Sequence, residues 1–221
     1  MASLLKHGPV NPYETTTLLM AQAGLQTGTA ADYDIDRPSR LPINCLVNKQ
    51  MPTEINPIEP PDNHHLSAAI GWLELGNPKE ANEELKKIAP ALHSHSSVLI
   101  VRHEIYTKGQ QWDLADEIAR QLLQLFPEEP QFWIWHAYST RRMRGGGIPQ
   151  AKEILGKAQQ LFPDEALIVY NLACYDCQLG NLKEARAWLE KAFHIGDRKV
   201  FKAMALQDRD LEPMWAEIKE I

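Results

Sequence analysis

Cysteine is scarce in this chain: three in 221 residues, Cys45, Cys174 and Cys177, an odd number without framework spacing. That excludes a disulfide-stapled secreted scaffold and suits a reducing compartment. Long apolar runs are missing too. No stretch approaches the roughly 18 consecutive apolar residues of a membrane span. The longest apolar run near the N-terminus is Leu18-Leu19-Met20-Ala21, too short for a secretory signal core. A cytoplasmic protein without membrane contact is the expectation. Basic charge is not in excess either. The formal net charge is −6, which argues against nucleic acid as the main partner, since that normally needs a basic face.

Catalytic patterns are equally thin. His103-Glu104-Ile105-Tyr106-Thr107 opens like a zinc-protease helix but lacks a second His four residues on. Gly145-Gly146-Gly147 lies beside Arg141, Arg142 and Arg144, ahead of a helix start where an anion could sit. It has no Lys-Ser/Thr follow-on, so it is not a P-loop, and a flexible turn explains it. Cys174 and Cys177 copy a redox spacing inside a helical stretch, where small buried or groove residues are expected instead. His64, His65, His93 and His95 could meet, but nothing enforces the three or four converging ligands of a metal site. No Ser-His-Asp set or carboxylate pair stands out. No enzyme activity, catalytic residue, cofactor or metal is expected.

What the chain does contain is a beat. Ala81, Ala115, Ala151 and Ala185 recur at a spacing of 34 to 36 residues. Leu75-Gly76-Asn77-Pro78-Lys79-Glu80-Ala81 returns with one change as Leu179-Gly180-Asn181-Leu182-Lys183-Glu184-Ala185. Phe126-Pro127 and Phe162-Pro163 keep the same step. A fixed period in this range predicts a stack of helix–turn–helix units, because one unit cannot bury its own apolar face.

Within each period the landmarks resemble the tetratricopeptide repeat. Residues 62–95 supply Ala69, Trp72, Gly76, Ala81 and Leu85. Residues 96–129 supply Tyr106, Gly109, Ala115, Leu122 and Pro127, with His103 where a small crossing residue is usual. Residues 130–165 supply Trp133, Ala137, Gly145, Ala151, Ala158 and Pro163, with two extra residues placed in the glycine run. Residues 166–197 supply Ala173, Gly180, Ala185, Leu189 and Ala192, and end in Gly196-Asp197. The resemblance implies an all-α, right-handed α-solenoid of four helix pairs over 62–197.

The flanks differ in kind. Residues 1–61 hold eight of the fifteen prolines. They read as a disordered, Pro-rich leader of extended chain with one short helix, from Pro12 or Tyr13 to Leu25. An alternative is a strap along the repeats, anchored by Leu41, Ile43, Leu46 and Val47, that would be self-inhibitory if it entered the groove. Residues 198–221 read as C-terminal capping helices, with a turn at Asp208-Arg209-Asp210-Leu211-Glu212-Pro213 and Trp215 plugging the end of the core. The stretch from Met204 to Trp215 looks like the tail that follows the repeats in some bacterial members of the family.

The resemblance also implies where a partner would lie. Groove positions fall at Leu66, Ile70 and Leu73, then Ile100, Glu104, Thr107 and Lys108. They continue at Ile134, Tyr138, Arg141 and Arg142, and at Tyr170, Cys174, Cys177 and Gln178. Aliphatic at one end and aromatic toward the other, with cations between, such a groove suits a segment with apolar anchors and a carboxylate. Leu66, Ile100 and Ile134 could equally pack within the stack. The Lys/Asn clamp of relatives that grip chaperone tails is missing, since Leu66, Ile70, Ile100, Glu104 and Ile134 stand there and Asn171 is one step off.

The expected function is a non-enzymatic protein–protein interaction module holding a peptide or protein segment in the concave groove. Two alternatives remain: a self-associating structural subunit meeting its copy through the solenoid ends, and a metal- or anion-binding accessory protein.

Overall fold

The computed structural model describes residues 57–221. The helix expected between Pro12 and Leu25 and the strap anchors Leu41, Ile43, Leu46 and Val47 lie outside the described residues. Among those residues there are ten α-helices and no strand. They are α1 Asp62–Glu74, α2 Pro78–Lys87, α3 Ser96–Lys108, α4 Trp112–Leu125 and α5 Pro130–Thr140. After them come α6 Ile148–Leu161, α7 Ala166–Gln178, α8 Leu182–Ile195, α9 Arg198–Ala205 and α10 Trp215–Glu220. Short 3₁₀ helices occupy Pro90–Leu92 and Arg209–Met214.

Local chemistry sets the boundaries. The Asn77 side chain accepts the Glu80 N–H, Pro78 stands in the first turn and Lys86 and Lys87 close the last, so α2 is capped and charged to suit its dipole. Phe126 and Phe162, each kept out of helical geometry by the proline that follows, end α4 and α6 in the same conformation (φ −138°, ψ 67° and φ −127°, ψ 68°). Asp197 accepts the N–H groups of Lys199 and Val200 and starts α9.

Each helix packs on the next in sequence from α1 to α9, and α1 also meets α3 as α5 meets α7. This is the contact pattern of a solenoid-like stack, in which elements touch near neighbours only. The four periodic alanines, Ala81, Ala115, Ala151 and Ala185, are fully buried. Each donates its N–H to the residue before its helix, Asn77, Gln111, Gly147 and Asn181 respectively. Ala69, Ala137 and Ala173 are also fully buried, and so is His103, which takes the equivalent place in α3. The imidazole is accommodated by lying flat on Trp135 of α5, 4.2 Å between centroids and 4° between planes.

Three turns share one hydrogen-bond pattern. Asn77, Gln111 and Asn181 donate to the carbonyls of Trp72, Tyr106 and Asp176 at 2.8, 2.8 and 2.9 Å. Gly76, Gln110 and Gly180 donate to Leu73, Thr107 and Cys177 at 3.0, 3.1 and 3.0 Å. This double closure needs a left-handed residue in the middle, and φ is 74° at Gly76, 81° at Gly180 and 53° at Gln110. Gly109, the glycine expected to serve that turn, is one position early and has φ −80°. Gln110 carries the strain instead.

The turn between α5 and α6 is different. It spans residues 141–147 where the others span three, while α5 is 11 residues long and α1, α3 and α7 are 13. The two extra residues therefore arise from a longer turn offset in part by a shorter helix. Gly146 is fixed by close approach: a Cβ there would stand 1.9 Å from the Thr140 carbonyl oxygen.

Buried carboxylates tie one helix pair to the next. Asp116 of α4 accepts from Thr140 at 2.8 Å and from Arg120 at 2.9 Å, and its other contact is His136 Nδ1 at 2.8 Å. Asp176 of α7, fully buried, accepts from Lys152 of α6 at 2.5 Å, Asn181 at 2.9 Å and Trp188 at 3.2 Å. Burial alone would raise the Asp116 pKa, but the hydrogen bonds from His136 and Thr140 hold it below the ordinary carboxylate value.

Two outcomes follow from these features. Gln110→Gly is expected to stabilise the protein by about 0.5–1 kcal/mol by removing left-handed strain, read as a higher urea midpoint at unchanged slope. Asp116→Asn is expected to cost about 1–3 kcal/mol at neutral pH. Because the folded-state pKa of Asp116 is depressed, its contribution is present above the unfolded value near 3.9 and is lost as pH falls through the folded value. The gap between wild type and Asp116→Asn should therefore narrow in urea melts taken from about pH 5 down to pH 2. A gap constant with pH would show that the charge of Asp116 contributes nothing.

Candidate partner-binding groove

The first helices of the pairs, α1, α3, α5 and α7, carry the residues expected to meet a partner. Several are core instead. Leu66, Leu73, Ile100 and Ile134 are buried at 7%, 1%, 1% and 4% exposure, so they offer a partner almost no surface. Their spacing matches both faces of the helix, and the packing of α2, α4 and α7 against it decides between them. Thr107 is buried and donates to the His103 carbonyl at 2.9 Å. Cys177 is buried, and burial raises its pKa to about 11.

A second group comprises two separate contacts, one along α3 and one between the end of α5 and the start of α4. Glu104 and Lys108 stand 3.9 Å apart, one turn from each other, and Ile70 of α1 is half-buried against the first apolar cluster. Tyr138 and Arg142 come together: the guanidinium lies 3.7 Å from the Tyr138 ring centroid and 5.4 Å from that of Trp112. Trp112 meets Tyr138 edge-on at 5.8 Å. Trp112 begins α4, in the second helix of its pair, and so was not among the groove positions expected from the sequence. The Arg142 guanidinium also donates to the Tyr138 carbonyl at 3.3 Å, so part of its fork is engaged within the chain.

The third group lies along α7 and is already engaged, by the chain's own tail. Helix α7 is buried nearly all round, because α5, α6, α8 and the 3₁₀ helix Arg209–Met214 surround it. The Tyr170 hydroxyl donates to Asp208 at 2.9 Å, and the Cys174 thiol donates to the same oxygen at 3.5 Å. Arg141, at the end of α5, takes both oxygens of Asp210, one of them at 2.8 Å, and also lies over the Tyr175 ring at 5.5 Å. Gln178 donates to the Asp210 carbonyl at 2.9 Å. Burial raises the pKa of Asp208, and the neighbouring Asp210 adds to it. Burial also raises Tyr170 and Cys174, so both remain protonated donors. Burial would lower the Arg141 pKa, but Asp210 more than offsets that and keeps the guanidinium charged.

Below this contact Leu211, Met214 and Ile218 fill the end of the core with almost no exposure. Trp215, expected to be the plug, is half-buried at the rim. Its indole N–H is shared between the carbonyls of Ala205 at 3.0 Å and Asp208 at 3.2 Å. The smaller apolar residues plug the end, and the indole pins the turn above them. Tyr170, Cys174 and Gln178 are thus gathered into one site with Arg141, and the occupant is residues 208–210. The Asp-x-Asp spacing signals a capping turn in sequence, and nothing in it announces a partner 69 residues away.

The histidines of the first pair have separate partners. His65 meets Glu84 at 2.9 Å, His93 meets the Ile88 carbonyl at 2.9 Å and His95 accepts the Ser97 N–H at 3.2 Å, while His64 is exposed. Among the described residues no three His, Cys, Asp or Glu side chains are placed to hold a metal ion. No helix among them is long and apolar enough to cross a membrane.

No protein-family model matches this chain, and no curated protein matches it. The chemistry of these contacts and of the tail contact therefore carries the functional reading.

Removing Asp210 would leave Arg141 charged and mostly buried without its partner. Asp210→Ala is expected to cost about 2–3 kcal/mol in urea unfolding. Adding Arg141→Met should recover part of that loss, because no buried charge then remains. A near-native midpoint for Asp210→Ala would mean the contact contributes little to closing the stack.

Proposed function

We propose that this chain is a non-enzymatic protein–protein interaction module of the tetratricopeptide type. In this reading it is a right-handed solenoid of four helix pairs, working in a reducing, cytoplasmic setting and binding an extended protein segment along its first helices. The tail contact is the observation that carries the reading: this face already holds the start of a 3₁₀ turn of the chain by bidentate carboxylate recognition at Arg141, backed by an aromatic ring. Arg142 likewise lies over aromatic rings, those of Tyr138 and Trp112. A partner segment with a carboxylate and an apolar anchor is the ligand that such chemistry recognises. The repeated turns and fully buried alanines support the repeat assignment. Cys174 is a poor nucleophile, since burial raises the pKa of its thiol.

With α7 covered by the tail and Glu104 and Tyr138 buried, the surface left to a partner narrows to the half-buried Ile70, Lys108, Trp112 and Arg142. Affinity capture from a native lysate with the intact chain, beside an Arg142→Glu variant, tests this. A protein retained by the first should be lost or weakened at least tenfold, roughly 1.4 kcal/mol, with the second. The variant's circular dichroism should still show the folded helical protein. Equal capture by both would remove this surface as the binding site.

A further inference from the structure

The tail closes the stack in two layers. Leu211, Met214 and Ile218, none above 1% exposure, fill the end of the core, and that apolar layer supplies the cover a terminal pair needs. The layer ahead of it is polar, and covering the core does not require it. It is a loop of five residues, 206–210, strung between Ala205 and Leu211, both fully buried. Gln207 and Arg209 face solvent, while Asp208 and Asp210 are turned onto α7 and the end of α5. Their donors are Arg141, Tyr170, Cys174 and Gln178, all four of them groove positions implied by the repeat resemblance. The hold on the two carboxylates is unequal. Asp210 has both oxygens on Arg141. Asp208 is met by neutral donors alone among the described residues: the Tyr170 hydroxyl at 2.9 Å, the Cys174 thiol at 3.5 Å and the Asp210 N–H at 2.9 Å. Burial and the charge of Asp210 both raise the Asp208 pKa, so its ionised form is kept there at a cost.

We propose that residues 208–210 are an internal ligand, which exchanges with a partner's acidic segment carrying two aspartates one residue apart. This rests on the reading of the first helices as the partner-binding face. Such a segment reproduces the contacts with Arg141, Tyr170 and Gln178 one for one. Exchange then requires release of a short loop whose two ends stay anchored, and the apolar plug remains seated. The loop is a tethered competitor, with an effective concentration of about a millimolar. The affinity a partner sees is its intrinsic affinity reduced by the fraction of molecules in which the loop is released. Exchange also supplies surface. With α7 covered, four half-buried side chains are left, against the roughly 20–30 residues a side of a stable interface.

The probe is a fluorescein-labelled peptide of residues 207–212, Gln-Asp-Arg-Asp-Leu-Glu, titrated to about a millimolar against the full chain and read by fluorescence anisotropy. Asp208→Asn/Asp210→Asn weakens the internal ligand and keeps Arg141, Tyr170 and Gln178 in place. It should bind the peptide about tenfold more tightly than wild type, or better. Arg209→Gly, at an exposed position where only the loop is loosened, should act in the same direction. Circular dichroism should show both variants folded, and Arg209→Gly decides alone if the double variant is not. A peptide with asparagine at both aspartates should not bind, and adding Arg141→Met to either variant should abolish binding. Equal affinity of wild type and Arg209→Gly, no binding to any variant, or binding that survives Arg141→Met would each overturn the exchange. None of these readouts involves Arg142→Glu, so the exchange can fail while the capture result stands.

Discussion

A pair of helices joined by a short turn has more apolar surface than its two members can cover, and the rest of this structure follows from that shortfall. Close crossing within a pair depends on Ala81, Ala115, Ala151 and Ala185, none of which has measurable exposure. Each pair then needs a neighbour on either side. In the middle of the stack that neighbour is supplied by the chain in order, and polar groups register the join. Asp116 and Asp176 are buried carboxylates whose donors come from adjoining elements, so neighbouring pairs cannot slide without leaving a charge unsatisfied.

At the C-terminal end the shortfall is met differently. Helices α9 and α10 and the 3₁₀ helix between them turn back onto α7 and α8. Leu211, Met214 and Ile218 replace the apolar face of a further pair, and the Asp210–Arg141 contact holds them in place. Closing the end also covers part of the surface that the first helices would present, so structural closure and ligand recognition draw on the same chemistry. Trp112 and Arg142 remain partly exposed, as does the outer side of α1.

Much of the architecture was legible because it rests on local rules. Proline, asparagine and glycine at helix ends, and alanine at a fixed period, act over a few residues. The exceptions are instructive. Gly109 suggested the left-handed turn position, but the hydrogen-bond register of the preceding helix puts it at Gln110. The glycine run did lengthen the third turn, yet α5 also lost residues, a trade between helix and loop that spacing alone cannot resolve. His103 looked like a poor crossing residue. Its fit depends on Trp135, 32 positions away, lying parallel to it.

The sequence by itself determined the helical class, the order of the elements and most of their ends, because capping and periodicity are short-range properties of the chain. It also placed Tyr138, Tyr170, Cys174 and Gln178 on first helices, whereas Arg141 and Arg142, expected there too, lie just past the end of α5. Only the tertiary structure decided which of these are surface and what each one meets. Leu66, Leu73 and Ile134 are core because neighbouring helices cover them. Tyr170, Cys174 and Gln178 are engaged because the tail folds back onto α7. Trp72 is exposed because no described element precedes α1. Burial and pairing are properties of what lies on the far side of a residue, and one helix cannot specify its neighbours.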